Sequence, residues 1–233
     1  MNACIIQLAI FIFGLTFLSC KDQIPTQEIY VMLDQTETYF NHLSIDQIRN
    51  ISVLKNNINQ GEIIHIQGIT ELSRTDIARI SIQSFNPLLG NEIERKNHVD
   101  QYFSRIDSVL NLMQARRAQR DGSSILIPLF DNLNALSESI AQSRKLIINS
   151  DLYENMLNID PDYNLYELIQ LDKDKTSSEF LNRIPLKDLK GIEIIILYLP
   201  TDKLDDSKFE MLSVFYKSML ESRGAKVKIT GSI

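Results

Sequence analysis

Three short stretches of the chain carry oxygen-rich side chains that can act together: Asp34-Gln35-Thr36-Glu37-Thr38, Ser123-Ser124 and Ser150-Asp151. Carboxylates and hydroxyls are hard donors. They suit Mg²⁺, Mn²⁺ or Ca²⁺ rather than zinc or copper. Mg²⁺ takes six oxygens and tends to keep several of them as water. In Asp34-x-Thr36-x-Thr38 the alternation lets a loop crossing a sheet edge aim alternate side chains to one side. Hydroxyl ligands are neutral, so a site with two hydroxyls and few direct carboxylates leaves its ion under-neutralised. Such an ion attracts an acidic group from a partner.

Other chemistries lack their residues. The chain has no Gly-x-x-x-x-Gly-Lys loop, no Gly-x-Gly-x-x-Gly fingerprint and no Gly-x-Ser-x-Gly elbow. A phosphatase that begins Asp-x-Asp after its first strand would need a general acid where Thr36 stands. His42, His65 and His98 are scattered, and His65 falls in an expected strand, where a lone histidine reads as structural. Tyr153-Glu154 sits beside Asp151 and reads as a solvated loop. The formal net charge of −6 gives no broad positive field for nucleic acid. The local basic stretch Arg116, Arg117 and Arg120 reads as a solvated helix end.

The elements that must position these residues are legible as alternating patterns. Hydrophobic residues make up 44% and charged residues 23%, a balance that supports a sizeable core and argues against global disorder. Apolar runs at 28–34, 61–67, 77–85, 145–151, 192–199 and 226–230 read as strands, and those at 28–34 and 145–151 end in an acid. The run at 77–85 alternates, with Ile80 and Ile82 on one face, and reads as an edge strand. Ser44-Ile45-Asp46-Gln47 is a capping box that opens a helix with Ile45, Ile48 and Ile51 inward. From Glu92 to Arg120, Val99, Phe103, Ile106, Leu110 and Met113 repeat at helical spacing. Ser123-Ser124 is expected to cap a helix reaching about Ser143. A second box is expected at Ser207 to Glu210, opening a helix that buries Leu212, Phe215 and Met219 and stops at Gly224. Residues 152–190 read as a long connection with short helices. The expected fold is α/β: a doubly wound, mostly parallel six-stranded sheet with helices on both faces and one antiparallel edge strand. In such sheets ligands bind beyond the carboxyl ends of the strands, where strand order reverses.

Residues 4–18 form a nearly unbroken apolar run, shorter than the roughly twenty residues a spanning helix needs. Its length is that of a signal-peptide apolar region, which assigns 1–19 to a leader. Phe17-Leu18-Ser19-Cys20 resembles a bacterial lipobox, and the resemblance implies that Cys20 is acylated and becomes the new N-terminus. It further implies an exported protein anchored to the envelope, with Lys21 compatible with the outer membrane. Residues 20–27 then form the lipidated end and tether, and 28–233 the body. No Lys or Arg precedes the apolar run, so an uncleaved N-terminal anchor is the alternative. Cys4 and Cys20 are the two cysteines, so no disulfide staples the body.

Asp34-x-Thr36-x-Thr38 resembles the Asp-x-Ser-x-Ser signature of the metal-ion-dependent adhesion site in von Willebrand factor A (integrin I-like) domains. The order of elements over about 27–231 agrees with that family. Its middle threonine, at the start of a helix, is best matched by Ser124, with Ser123 second. Its later Ser-Asp-Gly is matched by Ser150-Asp151, with Leu152 in place of glycine. The resemblance implies that Thr36, Thr38 and Ser124 supply hydroxyls to Mg²⁺ (or Mn²⁺ or Ca²⁺), and that Asp34 and Asp151 act directly or through water. It implies a protein partner whose acidic residue completes the coordination, and no catalysis. A member of the fold that lost the metal and serves as a scaffold is the alternative, and a metal-dependent hydrolase is a third reading.

Overall fold

A computed structural model of the chain describes residues 25–35, 43–69, 77–115, 124–154 and 164–233. The leader, Cys20, Thr36, Thr38, His42, Ser123 and the three arginines at 116, 117 and 120 lie outside the described residues. Six strands form one sheet: β1 (Gln27–Asp34), β2 (Glu62–Ile69), β3 (Ile77–Ile82), β4 (Ser143–Asn149), β5 (Ile192–Leu197) and β6 (Lys226–Thr230). Their order is β3-β2-β1-β4-β5-β6. All neighbours are parallel except β2 and β3, so the edge strand is antiparallel, as its alternation predicts.

Five α-helices cover the two faces among the described residues: α1 (Ile45–Ile51), α2 (Glu92–Ala115), α3 (Leu126–Ser137), α4 (Leu165–Arg183) and α5 (Lys203–Glu221). The pleat divides the core. Ile29, Val31 and Leu33 of β1 pack with Ile48 of α1 and with Val99, Phe103, Ile106, Leu110 and Met113 of α2. Met32 packs on the other face with Leu129 and Leu133 of α3, where Ile169 of α4 and Leu212, Phe215 and Met219 of α5 complete the layer. Central strands that are buried on both faces explain why β4 and β5 read as continuous apolar runs.

The helix ends refine the expected boundaries. Ser44 and Gln47 form the predicted reciprocal box, Ser44 Oγ accepting from Gln47 N and Gln47 Oε1 accepting from Ser44 N at 2.9 Å. Gly224 closes α5 with a left-handed φ of +90°, which a glycine adopts without a Cβ clash. The box at Ser207 is not formed. Asp202 is the cap, accepting from Leu204 N and Asp205 N, and Ser207 Oγ instead donates to Lys203 O within the helix. Residues 165–183 form two helical segments that meet at Asp172, whose backbone is extended there. β4 ends at Asn149, two residues earlier than its apolar pattern suggests, leaving Ser150 and Asp151 in the loop beyond the sheet.

Candidate metal-binding edge

Strand order reverses between β1 and β4, so the crevice beyond their carboxyl ends is the ligand position of this topology. The register aligns Leu33 with Asn149, which sets Asp34 and Ser150 side by side one step further out. Ser150 Oγ donates to Asp34 Oδ2 at 2.7 Å. Asp34 and Ser150 are both fully buried, so this bond is screened little by water. Leu152 N donates to Ser150 Oγ at 3.0 Å, and Tyr153 N donates to Asp151 Oδ1 at 2.9 Å. The loop 150–154 is therefore built around its own side-chain oxygens.

Leu152 holds a φ of +66°. This is the left-handed region, costly for any residue with a Cβ. Its side chain is fully buried in the core cluster with Ile125, Leu126 and Leu129. Packing of the leucine thus offsets the strain of the turn, at the position where the resembled signature carries glycine.

The entry of α3 differs from expectation. Its N-cap position is Ile125, with no side-chain capping bond of its own. Glu154 does the capping: its Oε2 accepts from Ile125 N at 2.6 Å and Leu126 N at 3.0 Å. A carboxylate at a helix N-terminus satisfies orphan N–H groups and complements the helix dipole. Glu154 is buried, so the solvated-loop reading of Tyr153-Glu154 does not hold for it. Ser124, itself buried, precedes this capped turn and is not the cap. Glu154 and Ser150 together make the loop after β4 a hub, tying the end of β1 to the start of α3.

Of the five expected ligands, Asp34, Ser124 and Asp151 are described, and they lie on the three segments the hub joins. Among the described residues no three His, Cys, Asp or Glu side chains gather into a metal-holding group. Thr36 and Thr38, the other two expected ligands, lie outside the described residues. The space on either side is unequal. A cavity of about 10 Å³ lies between Asp34, Gln35, Leu43, Met113 and Asn149, which is room for about one water. A groove of about 410 Å³ opens on the other side, lined by Asp151, Tyr153, Tyr198, Asp202, Asp205 and Lys208.

No protein-family model matches the chain, and no curated protein matches it. Ten solved chains do. One is the D319A mutant of the PilB minor pilin from Streptococcus sanguinis, with a TM-score of 0.44 and 12% identity. The match covers 92% of this chain and 59% of that one, so the chain spans less than two thirds of the pilin chain.

Apart from Asp151, the groove residues were not among the expected ligands. Tyr198 donates to both carboxylate oxygens of Asp205 at 2.8 Å, and Thr201 N donates to Asp205 Oδ2 at 2.6 Å. Asp202 is held below the ordinary aspartate range by the N–H groups of Asp205 and Leu204. Asp202 and Asp205 follow β5, so the carboxyl-end rule that pointed to β1 and β4 also covers them. Beneath the edge, the Tyr216 hydroxyl and Asn149 Oδ1 are buried without a hydrogen-bond partner among the described residues. Burial, with the charges of Glu154 and Asp151, pushes the Tyr216 phenol well above its ordinary range, so it stays neutral.

Proposed function

We propose that the chain is an exported envelope lipoprotein, anchored through Cys20, whose body is a von Willebrand factor A-like domain. Its top edge binds Mg²⁺ through Asp34, Thr36, Thr38, Ser124 and Asp151, and the ion binds an acidic residue of a protein partner. One observation carries this reading. Ser150 and Asp34 are hydrogen-bonded across the point where strand order reverses, beside Asp151 and the segment that holds Ser124. The strand order, the antiparallel edge β3 and a left-handed residue directly after Asp151 support it. The ion, when bound, supplies an under-neutralised positive charge. The chain's residues supply oxygen donors and a rigid loop to orient them.

A metal-free scaffold of the same fold is the second reading, favoured by the bonds already made to both acids: Ser150 Oγ to Asp34 and Tyr153 N to Asp151. Titration with Mn²⁺ separates the two. The first reading expects one ion per chain and its loss in Asp34→Ala, and the second expects none. Acyl labelling tests the anchor: label must enter the native chain and not Cys20→Ser.

A further inference from the structure

The opposite edge of the sheet carries an apolar corner. Leu88 and Leu89 are 90% and 85% exposed, and Ile93 is 74% exposed. Leu88 and Leu89 belong to the turn between β3 and α2 and Ile93 to the first turn of α2, so three large apolar side chains face water within six residues. The corner is ordered. Leu88 N donates to Asn86 Oδ1 at 3.0 Å, and Leu89 N to Asn86 O at 3.1 Å. Gly90 lies so close to Phe85 that a Cβ there would stand 2.3 Å from the ring. Arg95 fastens the corner from within, donating to Ile58 O, Gln60 O and Gln83 O at 2.5, 2.7 and 2.8 Å. A fixed turn that presents leucines outward marks an interaction surface.

The entry of the chain indicates what meets it. Thr26 N and Gln27 N both donate to Gly61 O, the residue after Gln60. Phe85 N donates to Asn59 O at 2.8 Å. The N-terminal end of the described chain and the apolar corner therefore share one loop, 58–61. Cys20 is five residues before Pro25, and five extended residues span about 18 Å. Whatever holds the chain at Cys20 holds this edge close to it.

We propose that the Leu88-Leu89 turn, with Ile93, inserts into the lipid surface as a second membrane contact beside the acylated N-terminus. This rests on the anchoring part of the proposed function. The acyl groups at Cys20 fix one point of the chain to the membrane, and apolar side chains buried beside that point add to the contact. A second contact point also stops the body from swivelling on its tether, and it turns the edge carrying Asp34 away from the membrane.

The chain contains no tryptophan, so one introduced indole reports its own surroundings. The full chain, purified from bacterial membranes and reconstituted in phosphatidylcholine vesicles, carries Leu88→Trp, or Leu89→Trp as a second variant. Leu204→Trp, at the start of α5 on the far edge and 67% exposed, is the control. Brominated acyl chains are expected to quench the indole at 88 or 89 severalfold more than at 204. Equal weak quenching while the chain floats with the vesicles overturns the corner and leaves the anchor standing. A blue shift that needs no vesicles and escapes bromine quenching assigns the corner to a second copy of the chain, which also overturns the proposal. Flotation and quenching at 88 that both persist in Cys20→Ser chains support the corner and remove the anchor.

Discussion

Ser150 Oγ sits 2.7 Å from Asp34 Oδ2, joining the ends of two strands whose residues are 116 positions apart. Asp34 is fully buried, so bulk water screens this bond little. Ser150→Ala removes that charge-assisted bond and the acceptor of Leu152 N. It is expected to cost about 1.5–3 kcal/mol in urea unfolding. An unchanged midpoint and slope would mean that the bond does not hold the edge.

Leu152 gives an inverted ranking. Leu152→Ala loses the buried side chain, a change that costs about 2–5 kcal/mol, and keeps the left-handed strain. Leu152→Gly loses the same packing but relieves the backbone, which costs about 1–2 kcal/mol for a residue with a Cβ. The glycine variant should therefore unfold at higher urea than the alanine variant. The usual order, alanine above glycine, would show that the turn is not left-handed in solution.

Glu154 and Ser124 separate capping from ligation. Glu154→Ala leaves Ile125 N and Leu126 N without their buried acceptor and is expected to cost about 2 kcal/mol or more. Ser124→Ala removes no capping bond and should cost well under that, while weakening any cation at the edge. Thermal unfolding with and without Mg²⁺ reads both effects. A stability loss for Ser124→Ala as large as that for Glu154→Ala would contradict the assignment of the cap.

The pH dependence has a sign set at the other end of the sheet. Burial raises the Glu62 carboxyl above the ordinary glutamate range, against bonds from Ser52, Tyr102 and Val53 N that lower it. Between the ordinary and the raised value the folded state binds more protons than the unfolded one. Stability contributed by protonated Glu62 is present below that window and falls as pH rises through it. Glu28 acts the opposite way. His65 and Ser139 lower its carboxyl, so its contribution is present above the ordinary value and is lost as pH falls through the depressed one. Glu62→Gln is expected to flatten the decline on the alkaline side of the ordinary glutamate value in denaturation followed across pH. A decline unchanged in the variant would assign it to another group.

Local chemistry was legible where the cause is local. Alternation marked β3 as an edge, continuous apolar runs marked β4 and β5 as central, and Ser44 with Gln47 declared its own cap. Gly224 did the same at the end of α5. Ser207 misled because Ser-x-x-Glu spacing also occurs inside a helix, where its hydroxyl bonds back to Lys203 O. The true cap, Asp202, lies just after Pro200 and Thr201, before any apolar periodicity begins. Glu154 was unreadable for a different reason. Its neighbours look solvated, and the N–H groups it serves are 28 and 29 residues earlier. Leu152 hid a left-handed turn because no glycine or asparagine announces it. At the edge, the acids ending β1 and following β4 were visible from the strand pattern. Their connection through Ser150 required the parallel register.

Divalent-cation binding at this edge is the property on which the proposed function stands. Calorimetric titration of Mg²⁺ into the body, residues 21–233, beside Asp34→Ala tests it most directly, with circular dichroism establishing that both are folded. One-site binding is expected in the native body and none in the variant. No binding to the native body, or equal binding to both, would contradict it.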